Sequence, residues 1–143
     1  MADQVYFEDV EEGMELPLAI KSASRTQLFL YSAASSNPHR IHYDREYAAT
    51  EGHPDVLVHG PLQGAWLSQY VTDWIGPAGR MLNLSWQNRG RAFPEQDHTF
   101  KGKVIAKRTN QPGNIVELTV WEENPKGEIL MPGSAVVSLP SRG

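Results

Sequence analysis

The sequence contains no cysteine among its 143 residues. This absence excludes disulfide bonds and thiolate metal sites, and it is typical of proteins in a reducing compartment. Long apolar runs are also missing, since no segment approaches the roughly 20 residues of a membrane-spanning helix. No apolar stretch follows the first four residues, so the sequence predicts no secretory signal peptide. Together these absences predict a cytoplasmic protein that does not enter a membrane.

An excess of positive charge is missing as well. The net charge is −4 and the isoelectric point is about 5.7, which argues against a nucleic-acid partner because such proteins are usually basic. The hydrophobic share of 40% and the charged share of 21% are those of a folded globular protein. At this length one hydrophobic core is sufficient, so we expect residues 1–143 to form a single domain.

One loop, residues 37–44, concentrates the polar chemistry that is present. It holds two of the five histidines, His39 and His42, together with Asn37, Arg40 and Asp44. Imidazole can accept and return a proton near neutral pH, whereas the amide and guanidinium groups donate hydrogen bonds. The loop is therefore the first candidate for a functional site.

The clearest helix follows this loop. Gly60 is expected at the cap, with Pro61 at the first helical position, where a missing N–H costs nothing. Apolar residues recur at every fourth position from Leu62 onward, and Gly76 marks the end. Earlier, Thr26 is the expected N-cap of a helix that reaches about residue 35, and Asp44 is expected to cap a short helix.

Beyond this helix the apolar pattern changes to alternation. Residues 81–86, 98–105, 115–121 and 134–139 alternate as half-buried strands do. Turn-forming sequences separate them at residues 93–97, 110–114, 124–127 and 131–133. With one early extended run at residues 15–24, the pattern predicts an α+β fold in which a curved antiparallel sheet wraps around a long central helix.

Three stretches of the chain carry a resemblance to a known family. Residues 7–13, the loop that ends at His42, and residues 58–62 occur in the order found in MaoC-like proteins of the hydratase-2 type. The resemblance covers nearly the whole chain, and it implies a single MaoC-like hotdog domain over residues 1–143. It also implies reversible hydration of a trans-2-enoyl thioester, usually on CoA, with no cofactor. The residues themselves predict no metal site, because no carboxylate cluster or thiol accompanies His39 and His42.

The family's loop reads small–Gly–Asp–x–Asn–Pro–aliphatic–His, with a small residue six positions later. Aligned without a gap, His42 is the family's histidine, Ala48 is the later small residue, and Ser36 takes the place of the glycine. A second alignment matches the Asn-Pro pair directly but requires a two-residue insertion. The gapless one keeps both flanks in register, and it places Asn37 where the family has its general-base aspartate.

The resemblance then implies a role for each site residue. His42 is the acid/base, Asn37 positions the water, and the Gly60 N–H forms the oxyanion hole. Leu62 supplies the next free amide of the helix, because Pro61 has no N–H.

The roles of three neighbours are left open. His39 would orient the water, serve as the base itself, or simply face solvent. Arg40 would hold a substrate carboxylate or a CoA phosphate, or pair with an acidic neighbour. His59 would line the substrate site or tie its segment down. We include all three, with Leu62, as candidate substrate-binding residues.

Partners and alternatives follow from the same resemblance. Family members pair sheet edges, which implies a homodimer or a heteromer with another hotdog subunit. Residues 69–77 resemble the small subunit of heteromeric hydratases that act on steroid side-chain CoA thioesters. Because Asn37 replaces an aspartate, a non-catalytic or half-site subunit is the main alternative. A hotdog thioesterase is a further one.

Overall fold

The computed structural model describes residues 3–109 and 113–143 of the chain. These residues contain three α-helices and five β-strands. The helices are α1 (Arg25–Ala34), α2 (Arg45–Thr50) and α3 (Gly60–Ile75). The strands are β1 (Ala19–Lys21), β2 (Arg80–Trp86), β3 (His98–Arg108), β4 (Asn114–Glu123) and β5 (Ile129–Leu139). A single 3-10 turn, Arg40–His42, lies between α1 and α2 and carries the polar loop.

The strands form one antiparallel sheet in the order β1-β3-β4-β5-β2. Its register pairs Val104 of β3 with Leu118 of β4, and Val120 of β4 with Gly133 of β5. Register shifts interrupt the pairings of β2 with β5, β3 with β4 and β4 with β5. Such irregularities bend a strand and increase its twist. The sheet is therefore curled, as the sequence predicts, with β1 and β2 at its edges.

The core lies between α3 and one face of this sheet. Residues at alternating positions of β4, from Val116 through Leu118 to Val120, are fully buried. Leu67 and Val71 of α3 are fully buried as well, so the apolar face of the helix is held against the strands. Each such side chain contributes roughly 1.5–3 kcal/mol when it leaves water. None of the helices in the described residues is long and apolar enough to cross a membrane.

Two helix starts differ slightly from the sequence predictions. α1 is capped by Ser24, whose Oγ accepts a hydrogen bond from the Gln27 N–H at 3.0 Å, and not by Thr26. An N-cap residue needs extended backbone angles, which Ser24 has and a residue inside the first turn lacks. The cap of α3 is His59, so Gly60 is the first helical residue and not the cap. Asp44 does cap α2, as predicted.

The prediction of a turn at residues 131–133 was wrong, because β5 runs through them. The Pro132 carbonyl accepts a hydrogen bond from the Gln87 N–H at 3.0 Å, just beyond the end of β2. In an antiparallel strand the N–H of a residue points to the same side as its carbonyl, so the missing donor is not needed for pairing with β4. The turn at residues 124–127 is present, whereas residues 110–112 of another predicted turn lie outside the described residues.

Candidate active site

The polar loop begins at the end of α1 with a residue in the left-handed conformation. Ser36 has a φ of 54°, a value that glycine adopts most easily. In the gapless alignment Ser36 takes the place of the family's glycine, so its backbone supports that alignment. Asn37 follows half-buried; its N–H donates to the Ser32 carbonyl at 3.0 Å, and its Oδ1 accepts from the His39 N–H at 3.4 Å.

His42 lies at the end of the 3-10 turn with 8% of its surface exposed. Its Nδ1 is 2.8 Å from the Leu57 carbonyl oxygen. A carbonyl can only accept, so Nδ1 carries the proton and Nε2 keeps its lone pair. Burial lowers the pKa of His42, although the hydrogen bond to Leu57 acts in the opposite direction. The ring is therefore neutral near pH 7 and has one basic nitrogen.

His59 packs flat against His42. The two ring centroids are 3.8 Å apart, with an angle of 19° between the planes. His59 is fully buried, and its Nε2 lies 2.7 Å from the Ser32 Oγ. Burial lowers the pKa of His59 to about 4, with a further contribution from His42. The stack is thus a pair of neutral rings, and complete burial fits His59 as a support for His42 and not as a substrate contact.

The start of α3 lies beside this stack, because His59 directly precedes Gly60. The N–H groups of the first helical turn have no carbonyl partner within the helix, and the helix dipole favours negative charge there. Gly60 is half-buried, and it has no side chain to block approach to its N–H. Leu62 is buried at 6% exposure, so its side chain belongs to the core while its N–H belongs to the same first turn.

Two neighbouring loop residues have structural partners. The Arg40 guanidinium donates to Asp44 Oδ2 at 2.6 Å and lies 4.6 Å from the ring centre of Tyr47. His39 caps the 3-10 turn, where its Nδ1 accepts from the Ile41 N–H at 3.3 Å. The His39 ring is 6.1 Å from that of His42. His39 is therefore close to the site, whereas Arg40 mainly fastens the loop to α2.

A second polar pair lies buried under the first turns of α3. Gln63 Nε2 donates to Glu122 Oε2 at 2.7 Å, and Glu122 is fully buried. Its Oε1 has no hydrogen-bond partner among the described residues. Burial raises the pKa of Glu122 to about 7, although the hydrogen bond from Gln63 acts to lower it. The pair joins β4 to α3 one turn after Gly60.

Sequence reasoning missed the supporting residues of the site. Ser32 is an ordinary helical serine in the sequence, and the carbonyl of Leu57 has no sequence signature. Glu122 could have been found, because it continues the buried alternation of β4 by one position. A carboxylate at a strand position whose side chain is expected to face the core indicates a buried polar contact.

The sequence pattern of one protein family matches residues 14–92, which is more than half of the chain: hydroxyacyl-thioester dehydratase type 2. This chain belongs to that family. The matched stretch contains both parts of the candidate site, the polar loop and the start of α3. The resemblance inferred from the loop and from residues 58–62 is thereby confirmed.

Curated relatives match shorter stretches. The chain is 44% identical over 63 residues to mesaconyl-C(4)-CoA hydratase of Chloroflexus aurantiacus, a match that covers 39% of this chain and 22% of that protein. It is 29% identical over 66 residues to the 3-oxo-4,17-pregnadiene-20-carboxyl-CoA hydratase beta subunit of Mycobacterium tuberculosis, covering 46% of this chain and 51% of that one. The matches therefore span about half or less of these relatives.

A solved structure extends the similarity to the whole fold. R-hydratase PhaJ1 from Pseudomonas aeruginosa aligns with a TM-score of 0.86 over 97% of this chain and 88% of that chain, at 24% identity. At this identity the likeness establishes the fold alone. It confirms the predicted hotdog architecture, a curled antiparallel sheet with a central helix.

Proposed function

We propose that this chain catalyses the reversible hydration of a trans-2-enoyl thioester, with CoA as the thiol. The observation that carries the proposal is the state of His42. Its Nδ1 is held as a donor by the Leu57 carbonyl, so Nε2 is left as the base. The ring is buried, neutral and stacked beside the start of a helix. A neutral base next to a helix N-terminus is what addition of water to an enoyl thioester requires.

In the proposed reaction His42 handles both proton transfers. Nε2 takes a proton from water as the water oxygen bonds to the β-carbon, and the thioester becomes an enolate. The resulting imidazolium then returns the proton to the α-carbon. The elements of water are added across the double bond and the histidine is regenerated, so the reaction needs no redox cofactor.

Asn37 and Gly60 serve the two ends of this reaction. Asn37 cannot titrate, but its amide can accept from and donate to the attacking water. The Gly60 N–H would donate to the thioester oxygen as charge develops on it, with help from the helix dipole. His39, near the His42 ring, is proposed as a neighbour of the substrate rather than as the base. The names of both curated relatives give a CoA thioester hydratase, which supports this substrate class.

Turnover of crotonyl-CoA, monitored through the loss of its conjugated double bond, tests the proposal. We expect activity in the wild type and its near-complete loss in His42→Ala. His53→Ala is the matched control, because His53 Nδ1 contacts the Arg91 guanidinium at 3.2 Å and its ring is not part of the stack. Activity that survives His42→Ala would remove His42 from the mechanism. Release of free CoA thiol instead of hydration would identify a thioesterase.

We also propose a second hotdog subunit as the partner, identical or related. β2 is an edge strand with unpaired backbone groups, and its Leu82 and Trp86 are 54% and 40% exposed. Edge strands with apolar side chains favour pairing with another sheet. Light scattering distinguishes a homodimer from a heteromer. It is applied to the purified chain alone and to the chain co-expressed with a hotdog protein that is encoded nearby.

A half-site subunit is the second candidate, and Asn37 is the observation that favours it. If the missing carboxylate limits the reaction, Asn37→Asp should raise the turnover of crotonyl-CoA by the chain alone. If a partner supplies the missing group, the wild-type chain should be inactive alone and active in the co-expressed complex. Equal activity of wild type and Asn37→Asp would favour the single-chain mechanism with His42 as the only base.

A further inference from the structure

One side chain outside the polar loop lies directly against Gly60. A Cβ atom added at Gly60 would overlap Nδ2 of Asn88 and come within 3.2 Å of its Cγ. The amide oxygen of Asn88 is farther away, at 3.6 Å. The nitrogen end of this carboxamide therefore occupies the space next to the Gly60 α-carbon, at the open first turn of α3.

The position of Asn88 is fixed although the residue is exposed. On one side the Gln87 N–H donates to the Pro132 carbonyl at 3.0 Å, and on the other the Arg89 N–H donates to the Leu130 carbonyl at 2.9 Å. These bonds extend the pairing of β2 with β5 past the end of β2. Asn88 thus lies on a backbone tied to the central sheet, and not on a free loop.

A second contact of the same segment aligns it with α3. Trp86 lies two residues before Asn88, and a Cβ added at Gly64 would overlap its indole ring. Gly60 and Gly64 are four residues apart and so lie on the same face of the helix. Residues 86 and 88 are likewise on one side of an extended chain. The missing side chain at each glycine thus leaves room for Asn88 and Trp86, and this packing keeps Asn88 in place over the first turn.

The chemistry of Asn88 suits this place. Its NH₂ group has two donors. In residues 3–109 and 113–143 no hydrogen bond involves its side chain, whereas the amide of the adjacent Gln87 accepts from Arg89. The Gly60 N–H lies at the same helix start without a helical carbonyl partner. A side-chain donor, the Asn88 amide, therefore lies against the residue whose backbone N–H is the proposed donor.

We propose that Asn88 is a further catalytic residue, whose side-chain N–H donates to the thioester oxygen together with the Gly60 N–H. The inference rests on the proposed function and adds a donor to it. A carbonyl oxygen has two lone pairs, so it can accept from both groups. As the enolate forms, the two donors share the developing charge.

The variants Asn88→Ala and Asn88→Asp test the assignment with crotonyl-CoA as substrate. Loss of one oxyanion donor lowers kcat by roughly 100-fold or more, and we expect that loss in Asn88→Ala with little change in KM. Asn88→Asp should be slower still, because a carboxylate repels the enolate. Gln87→Ala is the matched control, since its amide is bonded to Arg89, and it should keep wild-type kcat.

The outcomes separate this inference from the proposed function. An active wild type with both Asn88 variants within about threefold of it overturns the donor role alone and leaves hydration standing. A loss that appears only with longer acyl chains also overturns it, since Asn88 would then be a steric gate. A wild-type chain that hydrates no enoyl-CoA, alone or with its hotdog partner, overturns both. Binding of unreactive butyryl-CoA by the variants checks that they are folded.

Discussion

Replacement of Glu122 by glutamine should make this protein more stable in alkaline solution. Glu122 is fully buried, accepts a hydrogen bond from Gln63 at 2.7 Å, and has a second oxygen without a partner among the described residues. A buried carboxylate without a cation beside it is costly when it is charged. Glutamine keeps the size of the side chain and its acceptor for Gln63, but it carries no charge.

The magnitude follows from the pKa. In the folded protein the pKa of Glu122 is about 7, against 4.5 for a glutamate in water. The folded state therefore holds the proton more tightly than the unfolded state, so stability falls as the pH rises from 4.5 to 7. At 1.36 kcal/mol per unit, this pKa difference lowers the free energy of unfolding by about 3 kcal/mol at pH 8 and by about 1 kcal/mol or less at pH 5.

Urea unfolding at these two pH values, at one protein concentration, measures the effect. We expect Glu122→Gln to exceed the wild type by about 3 kcal/mol in the free energy of unfolding at pH 8, and to come close to it at pH 5. Subtraction of the wild-type free energy of unfolding from that of the variant, at each pH, removes the contribution of the histidines, which are present in both proteins. Glu11→Gln, at an exposed position, should show no difference at either pH. A variant less stable than wild type at pH 8 would refute the reasoning.

Three further results are expected. The pKa of His59 is lowered from 6.5 to about 4, so the unfolded state binds its proton first and the free energy of unfolding should fall as the pH drops from 6.5 to 4. His59→Phe should reduce that fall in acid unfolding curves. The same dependence of the free energy of unfolding on pH in variant and wild type would contradict this prediction. Ser36→Gly should raise the free energy of unfolding by about 1 kcal/mol, measured with urea, because the backbone of Ser36 is in the left-handed conformation. A loss of stability would show that the contacts of the Ser36 side chain outweigh this backbone effect. Arg40→Ala should change KM for crotonyl-CoA less than threefold, because Arg40 is paired with Asp44, and a large rise in KM would instead assign it to CoA.

Much of the fold was predictable because its signals are local. The period of four in α3, the alternation in β2 to β5 and the caps at Asp44 and Gly76 each arise within a few residues. The prediction failed at Pro132, where the partner strand decides the outcome. Whether a proline ends a strand depends on which of its neighbours needs the N–H, and no local pattern contains that information.

The sequence by itself determined the polar loop, the central helix and the family, because each depends on residue type and spacing along the chain. Only the tertiary structure decided which contacts the residues of the loop make. It stacked His42 on His59, made Nδ1 of His42 a hydrogen-bond donor to the Leu57 carbonyl, and placed Asn88 over Gly60. These contacts join residues distant in sequence through burial and backbone hydrogen bonds. They fix which nitrogen of His42 is basic and which amide lies against Gly60, and both depend on three-dimensional neighbours.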